Sequence, residues 1–200
     1  MPTLKSINPS TYQLLGEVEI STKQEIEEKV QLAKSAQKTW HELGLKTRIT
    51  HLQKALSKFK SQKAEFTLLA SQEMGMPISE TIADFDQSLV YANWYFENAA
   101  THLSPETTFE NESEVHRVYH EPLGVAAVII PWNYPFLMFI WTAYPNLIAG
   151  NAVVLKHSEE CPLTGKLIEE VMTRYLPEDV FSEVYGDGRV GQMLVQQDIN

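Results

Sequence analysis

Several residues of this 200-residue chain have types and spacings that could do chemistry. Asn133 stands between Pro131 and Pro135, and its side-chain amide could donate to a carbonyl oxygen that becomes negative under nucleophilic attack. The same asparagine could cap a helix that begins near Pro135, and residue type alone favours the cap. Lys156-His-Ser-Glu159 closes a short apolar run; by itself Lys156 reads as a solvated lysine at a strand end. Gly186-Asp-Gly-Arg-Val-Gly191 is a literal G-x-G-x-x-G, a weak nucleotide signal, because the acidic partner expected about 20 residues on would lie past Asn200. Cys161 is the only cysteine, so an internal disulfide is excluded, and by residue type alone it could be a nucleophile or a small packing residue. His116 and His120 have a spacing that would share a metal on a helix. On a strand they stand about 13 Å apart at ~3.3 Å per residue, so no metal site is expected.

These residues need strands and helices to hold them. Val125 to Ile130 is an unbroken apolar run rich in β-branched residues, the pattern of a strand covered on both faces in a parallel sheet. Pro131 has no amide hydrogen to continue a ladder, and Pro135 has φ preset for an early helical position, which leaves Trp132, Asn133 and Tyr134 in the intervening turn. Ala152 to Leu155 is a second short strand, and Pro162 can open the helix after it. The order Val125–Ile130, Phe136–Ile148, Ala152–Leu155, Leu163–Tyr175, Ser182–Tyr185, Val190–Val195 alternates strand and helix, which predicts a Rossmann-like parallel βαβαβ sheet. Ligands of such sheets sit at the carboxyl ends of the strands. Pro145 should kink or divide the first of these helices.

Ahead of the sheet, Met1 to Gly16 lacks periodicity and reads as an arm with a turn at Asn8-Pro-Ser10. Ser21-Thr-Lys-Gln24 has capping-box spacing and opens a helix with Ile26, Val30, Ala33 and Trp40 on one face. A second helix carries Ile49, Leu52, Ala55, Leu56 and Phe59 and continues through Phe66, Leu69 and Ala70 to Gly75. A third, entered after Pro77, carries Ile82, Phe85, Leu89, Ala92 and Phe96. Thr101 to Glu114 reads as a connecting loop and Val115 to His120 as an exposed strand. The fold class is therefore α/β, with residues 1–120 forming an arm, helices and connecting strand, and residues 121–200 the first part of a Rossmann-like domain.

The chain carries 26 acidic and 16 basic side chains, a net charge of −10. No basic stripe offers to replace phosphate counterions, which argues against a nucleic-acid partner. The longest apolar run is far short of the ~20 residues that span a bilayer, no secretory leader opens the chain, and Asn111-Glu-Ser113 reads as an ordinary polar loop. With a lone cysteine, these features predict a cytoplasmic protein.

Pro131-Trp-Asn-Tyr-Pro135 and Gly150-Asn-Ala-Val-Val-Leu-Lys-His-Ser-Glu159 closely resemble the NAD(P)-dependent aldehyde dehydrogenase superfamily. The resemblance extends from Ile7-Asn-Pro9 through Glu73-Met-Gly-Met-Pro77 to Tyr185-Gly-Asp-Gly-Arg-Val-Gly191, and Glu73-Met-Gly-Met-Pro77 and Leu155-Lys-His157 look most like its succinate-semialdehyde dehydrogenase branch. It implies that Asn133 is the catalytic oxyanion donor and that Ile130, Pro131, Trp132 and Asn133 line the nicotinamide end of a cofactor site. Trp132 is expected to anchor the core as well. It further implies that Lys156 and Glu159 bind the adenosine ribose, with His157 and Ser158 between them and Gly188 and Gly191 at the next turn. A carboxylate at Glu159 would repel a 2′-phosphate, so NAD is expected over NADP. The implied partners are an aldehyde substrate and further copies of the chain in a dimer or tetramer.

The family's nucleophilic cysteine, its general-base glutamate and its catalytic domain are expected beyond Asn200, so the 200 residues by themselves should not turn over. The alternative is a non-catalytic nucleotide-binding or assembly module.

Overall fold

A computed structural model describes residues 2–199. Its centre is a three-stranded parallel sheet, order β5-β6-β7, made of β5 (Val125–Ile129), β6 (Ala152–Lys156) and β7 (Phe181–Glu183). Crossover helices α5 (Pro135–Ala149) and α6 (Pro162–Tyr175) join them, and α7 (Gly188–Val195) follows. This is the expected α/β arrangement. Alternation along β6 divides the core: Val153 and Leu155 face the larger layer with α5 and α6, while Ala152 and Val154 face α1 and α7. All five residues of β6 are buried, as a strand covered on both faces must be.

Four helices precede the sheet where the periodicity predicts three: α1 (Lys23–Glu42), α2 (Gly44–Ser61), α3 (Lys63–Met74) and α4 (Ile78–Leu103). The expected second helix breaks at Gln62. In one continuous helix Phe59 and Phe66 would be about 10.5 Å apart along the axis. The break lets their rings meet edge to face at 5.1 Å between centroids. Phe136, in the first turn of α5, stacks on Phe85 at 4.5 Å and meets Phe59 at 5.1 Å, so α2, α3, α4 and α5 share one aromatic cluster. In α4 the buried stripe is Thr81, Asp84, Phe85, Ser88 and Ala92, and Ile82 is exposed.

Three further expectations are corrected. The amino-terminal arm is a hairpin of β1 (Thr3–Ile7) and β2 (Leu14–Glu19), turned by Asn8, whose Oδ1 accepts from the amides of Ser10 and Thr11. Its inward residue Ser6 is polar, which removes the alternation that would reveal a strand. The Thr101–Glu114 loop contains the end of α4 and β3 (Glu106–Glu110), which pairs antiparallel with β4 (Val115–Val118); both strands are exposed throughout. The cap of α1 is Thr22, accepting from Glu25, because Ser21 is taken up elsewhere: its amide donates to the Tyr185 carbonyl and its hydroxyl accepts from the Tyr185 amide.

Pro145 lies inside α5 without dividing it. The proline removes a donor to the Trp141 carbonyl, on the half-exposed side of the helix. Past it, Trp40 Nε1 donates to the Leu147 carbonyl at 2.9 Å, Arg48 Nε to Ile148 at 3.0 Å and Gln37 Nε2 to Gly150 at 2.9 Å. These bonds fasten the carbonyl end of α5 and the residue that caps it.

Neither α5 nor α6 has a side-chain cap of its own, and both begin with proline. For α6 the buried carboxylate of Glu73 substitutes. It accepts from the amides of Leu163 and Thr164 at 2.9 and 2.8 Å and from the Thr164 and Ser6 hydroxyls at 2.6 and 2.7 Å. Replacing Glu73 with Ala orphans all four donors and should lower the unfolding free energy by about 3 kcal/mol in urea titrations, with Glu73→Gln losing distinctly less.

Candidate functional site

The carboxyl ends of β5 and β6 and one face of α7 enclose a cleft of about 730 Å3. It is lined by Ile129, Ile130 and Pro131 on one side, Lys156, Ser158 and Glu159 at the base, and Gly188, Gly191, Gln192, Val195 and Gln196 opposite. The Ile130 amide donates to the Lys156 carbonyl at 3.1 Å, which joins the two strand ends. Seven of the sequence-predicted residues therefore meet here: Ile130, Pro131, Lys156, Ser158, Glu159, Gly188 and Gly191. Residue type does not mark Ile129, Gln192, Val195 and Gln196 as lining; Ile129 reads as interior from its apolar run, yet it is 47% exposed because the cleft opens over it.

Lys156 is not the solvated lysine its type suggests. The residue is only 3% exposed. Its Nζ donates to the His157 carbonyl at 2.9 Å and lies 3.5 Å from Glu159 Oε2, so the ammonium is steered along the floor beside a half-buried carboxylate. The aliphatic stem runs under α7, where a methyl group on Gly191 would sit 3.5 Å from Lys156 Cδ, ordinary contact. Among Gly186, Gly188 and Gly191, the one with a steric requirement is Gly186: φ is +147°, and an added Cβ would come within 2.3 Å of Val190. Asp187 caps α7 by accepting from the Arg189 amide at 2.9 Å.

Trp132 and Asn133 stand outside the cleft lining, on the turn before α5. Trp132 is 51% exposed, so it is not a core anchor. Asn133 is exposed and does not cap α5, whose first flanking residue, Tyr134, also makes no side-chain cap bond. The amide of Asn133 therefore faces outward, free of a structural duty. Beneath this turn Asp84 of α4 approaches the amides of Phe136 and Leu137, which favour its ionised form; burial outweighs them and pushes its pKa from 3.8 to about 6.

His157 does not reach the cleft. It is buried with Nδ1 2.5 Å from Glu183 Oε1 of β7, and its amide donates to the same oxygen at 3.3 Å. Cys161 is fully buried, and burial, together with the nearby Glu73 and Glu183 carboxylates, pushes its thiol well above the ordinary range. It is a packing residue with no accessible thiolate. Among the described residues no three His, Cys, Asp or Glu side chains cluster as metal ligands, and no helix is long and apolar enough to cross a membrane.

Residues 2–199 match the family model described as aldehyde dehydrogenase family. The chain belongs to that family. Among solved structures, an indole-3-acetaldehyde dehydrogenase in apo form is 30% identical, with a TM-score of 0.90 over 96% of this chain and 46% of its own. PnpE, studied in Pseudomonas sp. WBC-3, in complex with nicotinamide adenine dinucleotide is 28% identical, with a TM-score of 0.91 over 98% of this chain and 41% of its own. An E. coli NADP dependent enzyme is 27% identical, with a TM-score of 0.91 over 98% and 41%. This aldehyde dehydrogenase chain thus spans less than half the length of the solved relatives it matches.

Asp84 binds a proton more tightly folded than unfolded. The stability this confers is fully present below pH 3.8 and is lost as pH rises through about 6. Asp84→Asn removes the dependence. The stability difference between Asp84→Asn and the parent should therefore shift in favour of the variant by about 3 kcal/mol between pH 3.5 and pH 7.5, read by urea unfolding at both.

Proposed function

We propose that this chain is the cofactor-binding part of a cytoplasmic, homo-oligomeric NAD(P)-dependent aldehyde dehydrogenase, with NAD preferred to NADP. In this reading residues 1–120 are the supporting arm and helices and residues 121–200 the first part of the cofactor domain. The observation that carries it is the pairing of the buried Lys156 ammonium with Glu159 on the floor of a cleft at the strand ends. The residues present fit the cofactor's adenosine half. An ammonium can donate to a ribose hydroxyl, a carboxylate can accept from the other, and Gly188, beside which an added Cβ would meet nothing within 4 Å, leaves room above them. NAD, when bound, supplies the hydride acceptor.

The other contributions come from this chain's own atoms. Ile130 and Pro131 form an apolar wall that continues from the cleft toward Trp132 and Asn133. The unengaged Asn133 amide is suited to donate to an aldehyde oxygen as it gains charge, a role worth roughly 2.7 to 4 kcal/mol in a preorganised site. Cys161 is unsuited to attack that aldehyde, being buried and held as the thiol. The nucleophile and the water-activating carboxylate of the complete reaction are therefore assigned to residues outside these 200, and the isolated chain should form no NADH from NAD and aldehyde. The likeness of Glu73-Met-Gly-Met-Pro77 to the succinate-semialdehyde branch makes succinate semialdehyde the first aldehyde to assay with a complete chain. The burial of the lone thiol equally supports a nucleotide-binding module without catalysis, a reading that loses its ground if a chain extended to the relatives' full length oxidises aldehydes.

The cofactor preference is tested on the chain itself. NAD should bind more tightly than NADP in calorimetric titration, and Glu159→Gln should raise NADP affinity relative to NAD about tenfold by removing a like charge from the 2′-phosphate position. Tighter NADP binding by the unsubstituted chain would refute the preference.

A further inference from the structure

Behind the cleft floor lies a buried pair that no direct contact with ligand explains. His157 and Glu183 have side chains 1% and 0% exposed, and they engage each other: Nδ1 of the ring and the amide of the same residue both contact Glu183 Oε1. His157 Nε2 and Glu183 Oε2 have no further partner, so the couple is closed on itself. Burying two ionisable groups this way is costly unless they are held in good geometry. The helix above them makes the room: at Gly165 of α6 an added Cβ would lie 2.3 Å from Glu183 Oε1 and 2.8 Å from His157 Nδ1. The structure thus gives up a side chain on α6 to keep the pair.

The pair fixes one residue, between the two peptide units that flank it. Glu183 grips His157 through both ring and amide, and the carbonyl of that same residue is the acceptor for Lys156 Nζ at 2.9 Å. A chain of contacts therefore runs from β7 through His157 to the ammonium that faces Glu159 across 3.5 Å. Without the pair, the His157 carbonyl is free to rotate outward and the flexible four-carbon stem of Lys156 loses its anchor.

We propose that His157 and Glu183 are positioning residues for the ribose subsite, acting through the His157 carbonyl to aim Lys156 and touching no ligand themselves. This rests on the reading that the cleft takes the adenosine ribose. It also accounts for a histidine that sits within the cofactor-binding sequence yet turns its ring away from the cofactor.

The probes are 5′-AMP and 2′-deoxy-5′-AMP, titrated into the 200-residue chain by NMR. The parent should prefer 5′-AMP about tenfold or more, the scale of a hydrogen bond to a charged group. His157→Leu should erase most of that preference while leaving 2′-deoxy-5′-AMP affinity little changed, and should add nothing in a Lys156→Met background. His157→Asn, whose amide stands where Nδ1 does, should keep the preference. Should His157→Leu fail to fold, His157→Gln, whose amide falls at the Nε2 position, must show the same loss. An unaltered preference in the folded disruptive variant, or an equal loss for both nucleotides, overturns the positioning role. A parent chain that binds neither nucleotide, or both alike, overturns the ribose reading and the inference with it, and that result is read before any variant is made.

Discussion

Helices α5 and α6 both begin without a side-chain cap from the residues just before them, so their first amides depend on groups brought from elsewhere in the fold. An ordinary cap would place a Ser, Thr or Asp side chain back over the helix start and use up the turn. At α6 an acid from the helical layer takes over, and at α5 a second acid comes close. Glu73 of α3 accepts from the start of α6, and Asp84 of α4 lies against the start of α5. Both are buried, and for both burial raises the pKa in spite of the amides that favour ionisation. This constraint orders much of the structure, because it requires α3 and α4 to pack against the crossovers at a fixed height.

The aromatic cluster supplies that height. Phe136 occupies the first turn of α5, three residues after Asn133, and is pressed between Phe85 and Phe59. At the other end, Trp40, Arg48 and Gln37 hold the last carbonyls of α5. A helix fixed at both ends transmits little motion to its preceding turn, so Trp132 and Asn133 can be exposed without being adrift. The cleft next to them follows the same logic at β6, where a fully buried strand delivers a lysine whose charge is directed by carbonyl and carboxylate instead of solvent.

Much of this is legible in the residues themselves. Five successive buried positions need five apolar or tethered residues, so Ala152 to Leu155 announces β6; prolines with no donor mark where β5 stops and where α5 and α6 start. The stripe Ile26, Val30, Ala33, Trp40 is buried as its spacing requires. What hides is whatever is polar and buried, or apolar and exposed. Asp84, Thr81 and Ser88 look like a solvated face of α4 although they are its interior, and Ser6 hides a strand by facing inward. β3 and β4 are exposed on both faces, so pairing of backbone alone makes them strands, and backbone pairing leaves no trace in residue type. Most instructive is His157, whose neighbours in sequence face the cleft while its own ring is claimed by Glu183, 26 residues away.

The bond pair between Ser21 and Tyr185 bears on how the chain is made as well as on how it is held. These residues are 164 positions apart, and the apolar face of α1 is covered in large part by β5 and β6, roughly 100 to 125 positions downstream. On a ribosome adding ~5–20 residues per second, α1 would wait roughly 5 to 25 seconds for that cover. During that interval Ile26, Val30 and Trp40 are an open apolar ridge on a nascent chain. Synthesis therefore passes through a stage in which a chaperone has a surface to hold, and closure of the sheet over α1 is the step that takes that surface away.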